Sequence, residues 1–184
     1  DRRQRQMCIR DRYYKIKFKS RVYTPLNNSE KYTLVLMGRA DFGLLGSYNK
    51  YKQTPFETFH VGGDGMTGSY TYATETIGLR GYDNGALTPY SDGRAYTRFS
   101  MELHFPFLLQ PSSTIYGLAF VEGGNAWTSL ENFNPFSLKR SAGVGVRIFL
   151  PMIGLMGIDW AYGFDKVQGE KGGGHFHFIL GQEF

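Results

Sequence analysis

The sequence predicts an all-β chain, the antiparallel strands of a transmembrane barrel with one long loop. Three observations carry that expectation. Aromatics make up 16% of the residues and 24 are Gly, yet the mean hydropathy is −0.35. Many aromatics and glycines in a mildly polar chain suit sheets with one apolar and one wet face. Apolar and polar residues alternate in run after run from Tyr13 onward, the period-2 signature of strands. The connections between these runs alternate between short and long, as periplasmic turns and extracellular loops do in outer-membrane barrels. No stretch reaches the roughly 18 apolar residues of a transmembrane helix. A barrel strand needs only about 9–11 alternating residues, so that absence excludes nothing about a barrel.

Taken in order, Tyr14, Ile16, Phe18 and Val22 mark one face of the first strand, with Lys15, Lys17, Lys19 and Arg21 on the other. A turn signal at Pro25-Leu-Asn-Asn-Ser precedes a second strand from Tyr32 to Leu45. Residues 46–95 show no sustained alternation and predict a long loop, a feature that is usually functional when it occurs in a compact domain. Phe99, Met101, Leu103 and Phe105 then alternate with Arg98, Ser100, Glu102 and His104 in a third strand expected to stop near Pro106. Thr114 to Trp127, Ser141 to Leu150, Leu155 to Phe164 and Gly174 to Phe184 complete about seven strands. An inner set comprising Lys17, Arg39, Asp41, Glu102, Arg147 and Asp159 opposes an aliphatic and aromatic outer set. Single-chain bacterial barrels use at least about eight strands, in even number. The chain is therefore expected to be part of a larger barrel.

The net charge of +5 is concentrated at the start, where residues 1–12 hold five Arg against two Asp. This segment lacks strand or helix periodicity, and its QMCIRDR core resembles a translated sequencing adapter, so a disordered or foreign tail is expected there, with the barrel over 13–184. The basic balance of the chain consequently gives no nucleic-acid signal, and no nucleic-acid partner is expected. Cys8, the single cysteine, lies in the same tail, which excludes disulfides and thiol chemistry from the barrel.

Four separated segments carry the chemistry. Pro55-Phe-Glu-Thr-Phe-His-Val-Gly-Gly and, further along the long loop, Leu79-Arg80-Gly81-Tyr82 form the first. An arginine in a narrow lumen can bridge carboxylates with its fork of donors. Gly81 permits a tight turn, and Tyr82 supplies an apolar anchor with a polar tip. Phe120-Val-Glu122-Gly-Gly124-Asn-Ala-Trp127 is the second and places Glu122 inward; Asp159 is a second inward carboxylate, on a later strand. The third runs Ser141-Ala-Gly-Val-Gly-Val-Arg147, Pro151-Met-Ile-Gly154, Asp159-Trp-Ala-Tyr162-Gly. Its Gly143 and Gly145 admit two readings: room for the loop against the wall, or sheet bending. The fourth is the alternating end strand, in which Phe176, Phe178, Leu180 and Phe184 face lipid, with Gly181 weakening the strand near its end.

Together these segments resemble the C-terminal part of the barrel in the BamA-like family of outer-membrane protein assembly factors and their two-partner-secretion and translocation relatives. The resemblance covers residues 13–184. Two departures are Glu122 where the family more often has Asp, and the longer insert from Asp64 to Gly78. The resemblance implies a bacterial outer-membrane location and a role in folding and inserting β-barrel proteins. Unfolded outer-membrane proteins, accessory assembly lipoproteins and outer-membrane lipids are the partners it implies. It also implies that the long loop folds toward the lumen, that Arg80 contacts Glu122 or Asp159, and that the end strand is both an assembly signal and one side of a seam. A polypeptide-secreting pore is the alternative within the same family.

No enzyme and no cofactor are expected. His175 and His177 share a face, but no Cys or carboxylate completes a metal set in the sequence pattern. Gly172-Gly-Gly lacks the Lys-Ser/Thr of a phosphate loop, and Ser100 with His104 is explained by lumen polarity.

Overall fold

The computed structural model describes residues 13–27, 33–48, 57–65, 74–88, 93–110, 113–152, 154–167 and 172–180. The basic tail 1–12, and Gly181 and Phe184 of the end strand, lie outside the described residues. Seven long strands form one sheet: β1 (Tyr13–Pro25), β2 (Val35–Ser47), β5 (Ala95–Gln110), β6 (Ser113–Trp127), β7 (Lys139–Leu150), β8 (Gly154–Gly163) and β9 (Gly174–Leu180). Each pairs antiparallel with the next in the order β1-β2-β5-β6-β7-β8-β9, an up-and-down meander with β1 and β9 at its edges.

The side-chain pattern inverts that of a water-soluble sheet. Ile16, Phe18, Val121, Ile158, Phe176 and Phe178 on the outer face are each at least half exposed. Asp41, Arg98, Glu102, Glu122, Arg147 and Asp159 on the inner face are buried. An apolar outside suits lipid, where a spanning strand must pair all its backbone groups with neighbouring strands. The strands that cross are long enough, at 10–16 residues for β1 through β8 of this sheet, against the roughly 9–11 required.

Two expectations are corrected. The third long strand does not stop at Pro106 but continues to Gln110, with a register shift between Pro106 and Leu108. Proline removes one ladder donor, and the irregularity absorbs it without ending the strand. The long loop is also not structureless: it holds β3 (Thr58–Val61) and β4 (Thr74–Ile77), a parallel pair in register Thr58↔Thr74 to Val61↔Ile77. Burial on both sides hides β3 from an alternation search, since Thr58, Phe59 and Val61 are all buried.

This loop sheet sits against the inner wall. Phe59, Val61, Ile77, Leu79, Tyr82 and Leu87 of the loop pack with Leu45 of β2 and Tyr96 of β5 in the main apolar cluster. Phe59 and Tyr96 meet edge-to-face at 4.7 Å, and the Phe59 amide donates to the Gly93 carbonyl at 2.8 Å. The protein's apolar core is thus the loop plugged into the concave side of the sheet.

Candidate functional site: an ion-pair cluster at the loop tip

Beyond β4 the loop turns at Leu79-Arg80-Gly81-Tyr82, and all four residues are buried. Leu79 closes the apolar cluster. Gly81 has φ of +88°, a left-handed conformation that side chains disfavour. A Cβ there would also lie 2.9 Å from Ser141 Cβ and 3.0 Å from the Gly163 amide nitrogen. Tyr82 donates its hydroxyl to the Arg140 carbonyl at 2.6 Å, fastening the far side of the turn to β7.

Arg80, with none of its surface exposed, is held by three carboxylates from three strands. Its Nη1 donates to Asp159 Oδ2 of β8 at 3.0 Å, and its Nη2 to Glu122 Oε1 of β6 at 2.6 Å. Nη2 also contacts Glu102 of β5. The Arg80 backbone amide donates to Glu122 Oε2 at 3.0 Å. Phe120, two residues before Glu122, lays its ring 3.5 Å from the guanidinium carbon, adding a cation–π contact. The structure brings Arg80 together with both Glu122 and Asp159 and adds Glu102, from the inner face of β5, as a third partner.

Two wall arginines complete the cluster. Arg98 Nη2 donates to Glu122 Oε1 at 2.7 Å, and Arg147 Nη2 to Asp159 Oδ2 at 2.7 Å. Arg80, Arg98 and Arg147 thus face Glu102, Glu122 and Asp159, formally neutral as a set. Such balance matters because leaving one of these buried charges unpaired costs several kcal/mol, about 3–5 when a partner is removed. Burial alone would lower the Arg80 pKa, but the charges of Glu122 and Glu102 outweigh it and hold the guanidinium above the ordinary arginine value. The cluster ties the loop tip to β5, β6, β7 and β8 through paired charges.

The space left by Gly143 and Gly145 is taken by the wall's own atoms and not by the loop. A Cβ on Gly145 would overlap Asp159 Oδ1, and one on Gly143 would lie 2.6 Å from the Phe120 ring. These glycines clear space for the wall's own Asp159 and Phe120, which in turn hold Arg80. The β7–β8 register runs without a shift from Ser141↔Gly163 to Leu150↔Gly154, so no bulge is present there. The loop itself comes closest at Gly163, where a Cβ would lie 2.9 Å from the Tyr82 ring.

On β9, Phe176, Phe178 and Leu180 point outward and are exposed, while His175 and His177 point inward. His177 Nε2 accepts the Gly81 backbone N–H at 3.0 Å, a contact with no sequence signal beyond inward placement. His175 Nδ1 lies 3.3 Å from Asp83 Oδ1. Among the described residues no three His, Cys, Asp or Glu are grouped to hold a metal ion.

The Omp85 superfamily domain matches residues 9–184. The fold is similar to the crystal structure of BamA from Haemophilus ducreyi lacking POTRA domains 1-3, with a TM-score of 0.62 and 21% sequence identity. That similarity covers 90% of this chain and 34% of the BamA chain, so the chain spans about a third of that protein's length. The strand meander, the inverted polarity of its faces and the family match together establish that the chain belongs to the Omp85 superfamily, as a seven-stranded part of a BamA-like barrel in the bacterial outer membrane.

Proposed function

We propose that the protein to which this chain belongs folds and inserts β-barrel proteins into the bacterial outer membrane, without catalysis and without a cofactor. Unfolded outer-membrane proteins are its substrates, outer-membrane lipids its surroundings and accessory assembly lipoproteins its partners. One observation carries the reading. The loop tip clamps β5, β6, β8 and β9 from inside, so a stiffened wall backs β9. Among the described residues β9 pairs with β8 and stands at the edge of the sheet. An edge strand presents unpaired main-chain groups on which another strand can add by hydrogen bonding.

In this mechanism the substrate's terminal strand pairs with β9 while the wall behind it keeps its register. Gly181, just beyond the described part of β9, belongs to the same seam. A disulfide joining β9 to the first barrel strand of the full-length protein tests the proposal. Insertion of a substrate barrel into liposomes is expected to stop when the seam is locked and to return on reduction. Full activity in the locked protein would overturn it.

A polypeptide-secreting pore is the second reading. It requires a polypeptide to pass a lumen in which Arg80 is fully buried among three carboxylates. Moving that tip aside would separate buried charge pairs, at a cost of several kcal/mol. The clamp accordingly favours insertion at the edge over passage through the lumen.

A further inference from the structure

The same turn that buries Arg80 also reaches the last strand, and it does so through a titratable acceptor. Gly81 N–H points at His177 Nε2 from 3.0 Å, with His177 only 6% exposed. A backbone N–H can donate to that nitrogen only while it carries no proton. The loop tip's clamp contacts are of a different kind: Glu102, Glu122 and Asp159 are carboxylates bound to arginine, and Tyr82 donates to a carbonyl.

We propose that His177 is the positioning residue that latches the loop tip to β9, and that its protonation opens the latch while the arginine clamp on β5, β6 and β8 stays closed. With Nε2 protonated, two N–H groups face each other and the Gly81 bond is lost. The charged and titratable groups that face His177 are His175 on its own strand, Asp159 on β8, and Arg80 and Asp64 from the loop. The His175 and His177 rings stack at 6.3 Å. Arg80 and His175 oppose a charge on His177, whereas Asp159 and Asp64 favour it. Asp159 is already committed to Arg147 and Arg80, so it offers little to a cationic His177. The Gly81 latch therefore holds at neutral pH and opens in mild acid, while the His175–Asp83 contact and the wall stay in place.

Hydrogen exchange in the full-length protein, followed by mass spectrometry on the peptide that contains Gly81 and corrected for the intrinsic pH dependence of exchange, tests this directly. Protection of Gly81 is expected to fall about tenfold between pH 7.5 and pH 5 in the wild type, the factor typical of one buried hydrogen bond. In His177→Gln the side-chain oxygen replaces Nε2 as acceptor and does not titrate, so protection is expected to stay flat over that range. His175→Gln is expected to keep the wild-type fall. A wild type whose Gly81 protection does not change with pH overturns the proposal, and so does a His177→Gln protein that falls as the wild type does. The readout is exchange at one amide, so it stands or fails independently of whether the protein inserts barrels.

Discussion

Glu122 accepts from Arg80 twice, from the backbone amide at 3.0 Å and from the guanidinium at 2.6 Å. One carboxylate thereby fixes both the direction of the loop backbone and the position of its charged side chain. It also takes Arg98 at 2.7 Å and the Ser100 hydroxyl at 3.1 Å. Arg80→Ala leaves Glu102, Glu122 and Asp159 with excess buried negative charge. The expected result is a loss of about 3–5 kcal/mol, read as a lower temperature for the heat-modified mobility shift of the full-length protein, with reduced assembly activity. Arg80→Lys keeps the charge but not the fork of donors, so it is expected to fall between the two. Unchanged heat resistance in Arg80→Ala would remove the clamp.

The three carboxylates are not equivalent. Glu102 sits at the edge of the cluster, shared between Arg80 and His104, whose Nε2 is 3.0 Å from Glu102 Oε2. Glu102→Gln retains an acceptor and is expected to cost about 1–3 kcal/mol, whereas Glu122→Gln disturbs two arginines and is expected to cost more. A double-mutant cycle between Arg80 and Glu102 is expected to give a coupling within about 0.5–3 kcal/mol. A smaller loss for Glu122→Gln than for Glu102→Gln would contradict the assignment of Glu122 as the central partner.

Much of this was legible in the sequence, because side chains in a strand alternate and one face must meet lipid. That logic alone turns Lys17, Arg39, Glu102, Glu122 and Asp159 inward and Phe176 and Phe178 outward. Which inner charges reach Arg80 depends on register, and register is a relation between strands. Ser100 faces Glu122 across β5 and β6, which brings Glu102 close to the same guanidinium; no local pattern encodes that. The parallel pair β3–β4 escaped for a different reason. Its strands are only four residues each, and β3 is buried in the plug, so neither length nor period distinguishes them from loop. His177 illustrates a third limit: alternation turns it inward, but only the position of the Gly81 turn makes it an acceptor.

Two glycines separate steric from lipid-facing roles. A Cβ on Gly163 would overlap the Gly81 carbonyl and lie 2.9 Å from the Tyr82 ring, while one on Gly38 would meet nothing within 4 Å. Gly163→Ala is therefore expected to push the loop tip from the wall and to cost about 1–3 kcal/mol, as overpacking does. Gly38→Ala is expected to be neutral or slightly stabilising, through reduced freedom of the unfolded chain. Thermal unfolding of both variants in detergent is the measurement, and equal transition temperatures would reject the close approach at Gly163.

The far side of the loop is held by a softer electrostatic contact, and acid should release it. Glu75 of β4 lies 3.0 Å from both Lys15 and Lys17 of β1, and Glu57 lies 2.8 Å from Lys15. Burial pushes the Glu75 pKa up, but the hydrogen bonds from Lys17 and Lys15 outweigh it, and the net shift is downward. A carboxylate whose folded pKa is depressed adds stability above its unfolded value of about 4.3, and that contribution disappears as pH falls through the lower folded value. Loop docking is thus expected to be constant from pH 7 to about 5 on this account and to weaken below about 4. Glu75 is partly exposed, at 23%, so solvent screens the pair and high salt should mimic acid in part. Proteolysis of the loop in the full-length protein, measured against pH and salt, reads the effect. Glu75→Gln is expected to raise cleavage at pH 7 and to flatten its rise in acid. If Glu75→Gln and the wild type show the same acid-induced rise, the β1 lysines do not anchor the loop through Glu75.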